Sequence, residues 1–426
     1  MTTRLYDYTM NYHQRKIDFV SHGQGSSVLH VNTIAVIAPA SVLLFLRLQP
    51  RHLLIQWTLL VLPLVLVLTL FPTCPLFLAA LLIIPALLIP RRPLTLPSHA
   101  SPRLRLPALS VYRAHMLLIT VLAILAVDFP LFPRFLAKSE SFGVSLVCAP
   151  KNYSTHTLSP TPQMDLGVGS FVFSQGIVSA IPLLSSPSSL LKSSSSNLYK
   201  SLRKSLPLFF LGFIRLALLK VTHYPVYLFL LSFPSSLSHP FLLQEHVTEY
   251  GVHWNFFFTL ASIPLLQLLL HPLLASYSPS LIGIALALGT PSSFFLSSHS
   301  SLSLVQQLLL STTLQSLVLS PTRTHPSSLV LSLLYQNKEG LSSLLGYLSI
   351  HILGLSLGTT VLPPSPNFFP KFQLALRKST NLPSIPSHNR KTHKTALHLV
   401  SYAILWWSLF ALSRSLPSLR VSRRMV

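Results

Sequence analysis

Long apolar runs, separated by short basic or proline-containing segments, constrain this chain more than any other feature. Most of the runs have roughly 17–22 residues, the length that a helix needs to cross a bilayer. Only 9% of the residues are charged and the mean hydropathy is +0.57, whereas a soluble domain carries about 25% charged residues. The sequence therefore predicts an all-α, polytopic transmembrane helical bundle. We expect about eleven spans, near 31–47, 53–70, 74–90, 112–130, 164–183, 206–223, 252–274, 280–297, 302–320, 341–363 and 395–413.

Positive charge dominates the segments between the apolar runs. The chain has 31 Lys and Arg residues against 8 Asp and Glu residues, a formal net charge of +23. The cations lie in short segments such as 91–105 and 200–204. This placement indicates membrane topology and contact with anionic lipid head groups, so we expect the lipid bilayer as a partner and no nucleic acid.

The same cations predict an orientation for the first half of the chain. If the segments 91–111 and 184–205 are cytosolic, the loops after residues 130 and 223 face the opposite compartment. Counting the predicted spans onward places the long basic loop 364–394 in that opposite compartment too. The positive-inside rule does not expect a basic loop there, so the second half conflicts with it.

The eight acidic residues are unevenly distributed, and five of them fall near the loops that this orientation places on one side. A charged side chain costs about 2.5–3.5 kcal/mol at mid-membrane and usually marks a functional position. The acids are Asp7, Asp18, Asp128, Glu140, Asp165, Glu245, Glu249 and Glu339. Their surroundings are therefore the first candidates for reactive groups.

The segment 127–143 places one carboxylate beside fixed cations. Asp128 follows an apolar run, and Arg134, Lys138 and Glu140 come soon after it. A carboxylate in such a place can accept a proton, while a cation can stabilise a developing oxyanion. The alternative is a neutralised charge cluster at a helix end. Asp165 likewise either belongs to a site or caps the next span, where it suits the helix dipole.

The segment 245–260, EHVTEYGVHWNFFFTL, carries the other candidates. His253 could act as a general base oriented by Glu249, since a four-residue spacing places both on one face of a helix that extends that far. Trp254 and the following Phe residues are more typical of an interfacial aromatic belt than of a ligand site. Cys74 and Cys148 form neither a disulfide framework nor a metal site.

Five stretches together resemble one known family, the glycosylphosphatidylinositol (GPI) inositol-acyltransferases of the PIG-W type. The similarity runs from about Met10 to the C-terminus, and it is most specific in residues 245–260. The stretches are EHVTEYGVHWNFFFTL (245–260), DFPLFPRFLAKSESFG (128–143), MDLGVGSFVFSQGIVSA (164–180), LGFIRLALLK (211–220) and NKEGLSSLLGYLSI (337–350).

The resemblance implies a multi-pass enzyme of the endoplasmic reticulum membrane with about thirteen spans. It would transfer a fatty acyl chain, typically palmitoyl, from acyl-CoA to the inositol 2-hydroxyl of glucosaminyl-phosphatidylinositol, with no bound cofactor and no metal. Asp128 then becomes the base, and Lys138 its charge partner or oxyanion stabiliser. The remaining implied residues shape the site and hold the polar head group: Arg134, Glu140, Asp165, Arg215, Glu249, Tyr250, His253, Trp254 and Asn255.

The chain departs from the family pattern at three places, although we treat 1–426 as a single membrane-embedded domain. Residues 147–163 and 226–244 interrupt stretches that are continuous in the family. Both segments begin with Val and end with Gln, as the translation of an unspliced in-frame intron would. The last spans of the family are expected to be missing, so we expect the literal chain to be poorly active or unstable.

Two other classes of protein remain open. A transporter would also keep intramembrane acids, but it should show repeat symmetry and matched discontinuous helices, and neither is visible in the sequence. An inactive, truncated product of the same family is the second alternative. Labelling of a GPI precursor that depends on acyl-CoA would separate the enzyme from both.

Overall fold

The computed structural model describes residues 28–90, 107–128, 163–185, 195–230, 253–289, 329–378 and 391–415. The regular secondary structure within these ranges is entirely helical, which confirms the predicted all-α fold. The helices are α1 Val28–Ala35, α2 Ile37–Leu48, α3 Leu53–Leu60, α4 Leu62–Thr69, α5 Pro75–Leu88, α6 Pro107–Asp128, α7 Gln163–Ser185, α8 Ser195–Leu230, α9 Phe256–Leu269, α10 His271–Ser276, α11 Pro279–Gly289, α12 Leu329–Gln336, α13 Lys338–Val361, α14 Phe368–Arg377 and α15 Thr392–Ser415.

Several of these helices are long and apolar enough to cross a membrane. Among the described residues they are Leu29–Leu48, Gly167–Ser185 and Gly340–Val361, and shorter apolar helices accompany them. Ten of the eleven predicted spans overlap a described helix, whereas 302–320 lies outside the described residues. The protein is thus a polytopic helical membrane bundle.

The described chain divides into two compact units, one up to Phe171 and one from Val172 onward. The boundary falls within α7, so one helix contributes to both units. Whether the two units act as a single functional domain, as the sequence predicts, stays a prediction.

The first unit has an interior of aliphatic side chains. Helices α2 and α5 pack against each other, and α1 and α4 complete the cluster. Ser41, at 0% exposure, donates its hydroxyl to the carbonyl of Ala38 in its own helix, 2.8 Å away. The buried aliphatic residues are Ile34, Ile37, Ala40, Leu44, Leu64, Val67, Leu68, Leu78, Ala79, Leu82 and Ala86.

Prolines explain why two apolar runs of this unit form paired helices. Pro39 lies four residues after Ala35, the last residue of α1, where its ring opposes the Ala35 carbonyl and supplies no N–H. Pro63 is at the start of α4, just after the break at Val61. Each run therefore keeps its length but is divided into two helices.

The second unit is organised around α13, which packs against α9 and α11, while α8 packs against α9. The Nε2 atom of His351 lies 2.7 Å from Oε1 of Gln267, and the N–H of His253 donates to Oδ1 of Asn337 at 2.9 Å. Each contact joins two residues that are 84 positions apart in the sequence. Because this offset is the same at both contacts, helices α9 and α13 run parallel.

The neighbours of this pair run in the opposite direction. The carbonyl of Gly212 on α8 contacts Asn255 at the start of α9, whereas Ser201, earlier on α8, contacts the carbonyl of Pro264, later on α9. Helix α11 meets α13 through Ser280 and Ser356, and Ser349 donates to the carbonyl of Gly283 at 2.9 Å. The N-termini of α8 and α11 therefore point towards the same end of the unit as the C-terminus of α13.

These directions place the described parts of two basic segments at the same end of the second unit. The start of α8 belongs to the segment 184–205, and the end of α13 leads into the segment 364–394. Counting the predicted spans had placed these two segments on opposite sides, because hydropathy locates apolar runs but does not give their direction. The predicted span 302–320 lies outside the described residues and stays a prediction.

Helices α7 and α13 cross at a pair of glycines. A Cβ atom at Gly354 would collide with the carbonyl of Phe173, and one at Gly176 would collide with the carbonyl of His351. Small residues allow the two backbones to approach closely. In lipid, where burial of apolar surface does not drive helix association, such close packing stabilises the helix pair. Nearer the start of α7, Gly167 makes a similar close approach, since a Cβ atom there would lie 2.7 Å from Oγ1 of Thr120 on α6.

Buried amide side chains satisfy backbone carbonyls that the helices leave unpaired. Pro264 has no N–H, so the carbonyl of Leu260 loses its helical partner, and Nε2 of Gln175 donates to it at 2.9 Å. The carbonyl of Leu274, at the end of α10, accepts from Nε2 of Gln373 at 2.6 Å. Side chains on α7 and α14 thereby complete the hydrogen bonding of α9 and α10.

The basic segment 364–394 contains a helix, which the description of it as a loop does not anticipate. Helix α14 covers ten residues, Phe368–Arg377, and buries Phe368, Phe369 and Phe372. Because the cations lower the average hydropathy of the segment, that average does not reveal the apolar face of the helix. Helix α8 extends to Leu230, so it includes the first residues of the segment 226–244 that the sequence identifies as an insert.

Candidate functional site

Asn255 sets the start of α9. Its backbone is extended (φ −145°, ψ 169°), and its Oδ1 accepts hydrogen bonds from the N–H groups of Phe257 at 3.0 Å and Phe258 at 3.2 Å. These N–H groups have no partner within the helix, and asparagine is among the preferred residues for this position. Residues 253–255 therefore precede the helix.

The same side chain joins α9 to α8. Nδ2 of Asn255 donates to the carbonyl of Gly212 at 3.0 Å, and the residue is buried. Gly212 is in tight contact with the ring of Phe258, since a Cβ atom there would lie 2.8 Å from a ring carbon. Asn255 thus uses both ends of its amide to hold the entrance of α9 against α8.

Trp254 contacts buried residues of α9 and does not lie only at the edge of the helix bundle. Its Nε1–H donates to Oγ1 of Thr259 at 2.9 Å, and its ring lies 5.9 Å, centroid to centroid, from that of Phe258. Thr259 is fully buried. The predicted interfacial aromatic is therefore anchored by a hydrogen bond to a buried hydroxyl group.

Asn337 holds His253 from the other side. Besides accepting the N–H of His253 through Oδ1, Asn337 donates its Nδ2 to the carbonyl of Leu333 at 2.8 Å. It is the residue between α12 and α13, and the Lys338 side chain that follows is 5% exposed. Residues 253–255 are therefore held at one end of the unit by α8, α9 and the α12–α13 junction.

Sequence reasoning missed Asn337 and Lys338 as candidate site residues. Both lie in the stretch NKEGLSSLLGYLSI, which was used only as a sign of the family. The sequence does carry a signal, because an amide, Asn337, and a cation, Lys338, stand at the N-terminal end of this apolar helix. Their nearness to His253, 84 residues away for Asn337, is visible only in the folded chain.

The predicted pairing of His253 with Glu249 does not have the helical geometry that the spacing suggested. Helix α9 begins at Phe256, and His253 precedes it in a non-helical conformation. The Asn255 cap stops the helix from extending back to the histidine. Glu249 and Tyr250 lie outside the described residues, so a contact between them and His253 stays a prediction.

Asp128 and Asp165 are placed by their helices. Asp128 is the last residue of α6, and Asp165 is in the first turn of α7. In the first unit these helices meet where Gly167 touches Thr120 and where Tyr112 hydrogen-bonds to Ser170. The pair is therefore antiparallel, with both acids towards one end, but their side chains lie outside the part that the structure describes.

The other implied site residues are distributed as follows. Arg215 is on the exposed side of α8, three residues beyond Gly212, so it is not part of the buried cluster around Asn255. Arg134, Lys138 and Glu140 lie outside the described residues. The structure therefore brings together His253, Trp254 and Asn255 with Asn337, and it leaves the roles assigned to Asp128 and Lys138 as predictions.

This cluster can hold a polar group at the end of an apolar bundle. His253 is a half-buried residue that Asn337 holds through its backbone N–H, and Lys338, which follows Asn337 in the sequence, is buried. Lysine binds phosphate as a compact charge, and an imidazole can donate or accept a proton near neutral pH. The arrangement suits the polar head group of a lipid whose tails remain in the bilayer.

Comparison with known proteins agrees with the resemblance read from the sequence. The GPI-anchored wall transfer protein 1 of Cryptococcus neoformans var. grubii is 40% identical over 320 residues, covering 72% of this chain and 43% of the relative. The proteins of the same name from Aspergillus oryzae and Gibberella zeae are 35% and 34% identical, covering 94% and 98% of this chain. The chain spans less than half of the Cryptococcus protein and about three quarters of the other two: 73% and 77%.

The family model described as GWT1 matches residues 12–229 and 238–426. Its one interruption falls inside the predicted insert 226–244, whereas the match runs through the predicted insert 147–163. Because the match covers nearly the whole sequence, the chain belongs to the GWT1 family.

Proposed function

We propose that this protein is an acyltransferase of GPI-anchor biosynthesis in the endoplasmic reticulum membrane. It transfers a fatty acyl chain, palmitoyl in the typical case, from acyl-CoA to the inositol 2-hydroxyl of glucosaminyl-phosphatidylinositol. The observation that carries this proposal is the family match over residues 12–229 and 238–426. The relatives' shared name, GPI-anchored wall transfer protein 1, supports the GPI pathway.

The described structure supports the substrate class. The end of the second unit combines apolar helix surfaces for lipid tails with the polar cluster of His253, Asn255, Asn337 and Lys338 for a head group. Both proposed substrates, the glycolipid and acyl-CoA, have this division into an apolar and a polar part. A site at the end of a membrane bundle can receive both without extracting their acyl chains from the bilayer.

The reaction needs a base and a positive group, which we assign to Asp128 and Lys138. Asp128 takes the proton of the inositol 2-hydroxyl, and the oxygen attacks the thioester carbonyl carbon. Lys138 stabilises the resulting oxyanion. The carbon–sulfur bond then breaks, and the CoA thiolate leaves and takes up a proton. The new ester stays on the glycolipid.

An acylation assay in microsomes that lack endogenous inositol acyltransferase activity tests the proposal. Two versions of the chain are compared, the 426-residue sequence and one without residues 147–163 and 226–244. We expect acyl-CoA-dependent labelling of the precursor at the inositol ring, detected by mass spectrometry, with the shorter version the more active. In the more active version, Asp128→Asn should abolish labelling, and Lys138→Gln should lower it about a hundredfold or more.

A matched control protects the result against misfolding. Arg113→Gln removes an exposed charge from α6, the helix that ends at Asp128, without touching any residue assigned to the site, and it should keep most of the activity. Absence of labelling in both versions of the chain, at normal protein levels, would contradict the proposed reaction. Full activity of Asp128→Asn would refute its assignment as base.

A further inference from the structure

Helix α14 has one buried aromatic side and one exposed cationic side. Phe368, Phe369 and Phe372 are buried at 8%, 2% and 2% exposure. Lys371 and Arg377 are exposed on the same helix, and Lys378 follows directly. This separation of faces is typical of a helix that lies in a membrane interface, with its cations towards lipid head groups.

Hydrogen bonds fix the rotation of α14 about its axis. Nε2 of Gln373 donates to the carbonyl of Leu274 at 2.6 Å and to that of Tyr277 at 2.9 Å. Both carbonyls belong to the bend between α10 and α11, and α14 also packs against α10 and α13. Because the aromatic side cannot turn outward without breaking these bonds, the cationic side is held outward.

The start of α15 adds further cations at the same end. The N–H of Lys391 donates to the carbonyl of Pro364, 2.9 Å away, which ties this start to the segment between α13 and α14. Lys391 and Lys394 are both exposed. We call the exposed cations of α14 and the start of α15, namely Lys371, Arg377, Lys378, Lys391 and Lys394, the cationic end surface.

No carboxylate of the adjacent sequence can neutralise this surface. Glu339 is the last acidic residue of the chain, and it is at the N-terminal end of α13, the opposite end from α14. The surface begins where the membrane-spanning Gly340–Val361 ends. Cations in this position meet the head-group layer of the bilayer.

We propose that the cationic end surface binds anionic phospholipids of the cytosolic leaflet through their phosphate-bearing head groups. The positive-inside rule places such a surface on the cytosolic side, and anionic lipid there attracts basic segments near a span. The cluster around His253 and Asn337 is at the other end of the unit, so it faces the non-cytosolic side. This inference does not depend on the proposed acyltransferase reaction.

Lipid titration of the purified full chain in detergent tests the proposal. Phosphatidylserine is added to one series and phosphatidylcholine to another, and bound lipid is counted by native mass spectrometry while thermal unfolding is followed. We expect phosphatidylserine to bind and to raise the unfolding temperature, and phosphatidylcholine to have little effect. In the triple variant Lys371→Gln/Arg377→Gln/Lys378→Gln, phosphatidylserine affinity should fall about tenfold or more.

The matched control removes two exposed cations of the first unit, in Arg51→Gln/Arg113→Gln. This control should keep its affinity within about twofold, because neither residue belongs to the cationic end surface. A loss as large as that of the triple variant would overturn the proposal in favour of net charge alone. Displacement of the lipid by equimolar inorganic phosphate, or equal binding of the two lipids, would also contradict it.

Thermal unfolding in the absence of lipid separates binding from folding. The substituted residues are exposed, so the unfolding temperature without lipid should match that of the parent. A second variant, Lys391→Gln/Lys394→Gln, should lose part of the affinity in the same assay. Retention of full phosphatidylserine affinity by both variants of the surface would refute the proposal.

Discussion

The two units differ in how they use buried polar groups. In the α1–α5 cluster, the buried Ser41 donates only to its own helix. In the second unit, buried polar side chains connect different helices, as Gln267 does with His351 and Asn255 with Gly212. Both units are made of apolar helices of similar composition, so hydropathy does not distinguish them.

This difference indicates that side-chain hydrogen bonds fix the arrangement of the helices more tightly in the second unit than in the first. Lipid tails are as apolar as a leucine side chain, so helix association in a membrane depends on close packing and hydrogen bonds between helices. The first unit relies mainly on the packing of aliphatic side chains. Its connecting hydrogen bonds come from part-buried side chains, with Arg47 donating to the Ile89 carbonyl at 3.2 Å and His30 Nε2 lying 2.6 Å from the Pro72 carbonyl. The second adds a glycine crossing and a series of interhelical hydrogen bonds, and these same bonds hold residues 253–255.

The largest expected effect is at the glycine crossing. Gly354→Leu should destabilise the protein by about 3 kcal/mol or more, because its Cβ meets the backbone of Phe173 and backbone cannot move aside as a side chain can. The yield of monodisperse protein and its thermal unfolding measure the loss. Gly169→Ala is the control, since no heavy atom lies within 4 Å of its added Cβ; equal losses in both would contradict a tight crossing.

The cap of α9 should give the next largest effect. Asn255→Ala removes two hydrogen bonds to N–H groups and leaves the carbonyl of Gly212 without its donor, which should cost about 2 kcal/mol. Thermal unfolding in detergent checks this value. Asn255→Asp keeps the cap but loses the donor, so it should fall between the parent and the alanine variant. An aspartate variant as unstable as the alanine one would argue against the cap.

The Gln267–His351 pair should show a smaller effect with a measurable coupling. Gln267→Leu should cost about 1 kcal/mol, because it leaves the imidazole of His351 buried without its amide partner. The double variant Gln267→Leu/His351→Leu should be less destabilised than the sum of the two single variants, since apolar replacement of both partners can be nearly neutral. A double-mutant cycle that gives strict additivity would show that the two groups do not interact.

The smallest effect is expected in the first unit. Ser41→Ala should change stability by less than about 0.5 kcal/mol, because the hydroxyl and the Ala38 carbonyl to which it donates belong to the same helix. The same unfolding assay applies. A loss as large as that of Asn255→Ala would remove the distinction between the two units.

Much of the fold was predictable from the sequence, because membrane helices are recognised by the length and the low polarity of their segments. The apolar runs located the described spans, but the breaks at Val36 and Val61 appear only in the structure. The antiparallel direction of α11 and α13 was not predictable, since hydropathy locates apolar runs without giving their direction. Helix α14 was missed because Lys371 lies between the buried Phe369 and Phe372, and Arg377 and Lys378 follow at its end.

The candidate site was predictable only in part. Asn255 and Trp254 were found through the family resemblance, but their partners Gly212 and Thr259 had no signal of their own. Asn337 was missed because its contact with His253 joins distant parts of the sequence. His253 is not on α9, since the capping residue Asn255 two positions later starts that helix, and its pairing with Glu249 stays a prediction.

The central claim is that Asn337 positions the segment 253–255 for the proposed acyl transfer. The most direct test is the initial rate of precursor acylation, per amount of folded protein, in the more active version of the chain. We predict that Asn337→Leu lowers the rate about tenfold or more, that Asn337→Asp restores part of it through the retained acceptor for His253, and that Asn367→Leu, at an exposed helix start without a side-chain cap, leaves it unchanged. Equal rates for Asn337→Leu and Asn367→Leu would contradict the account.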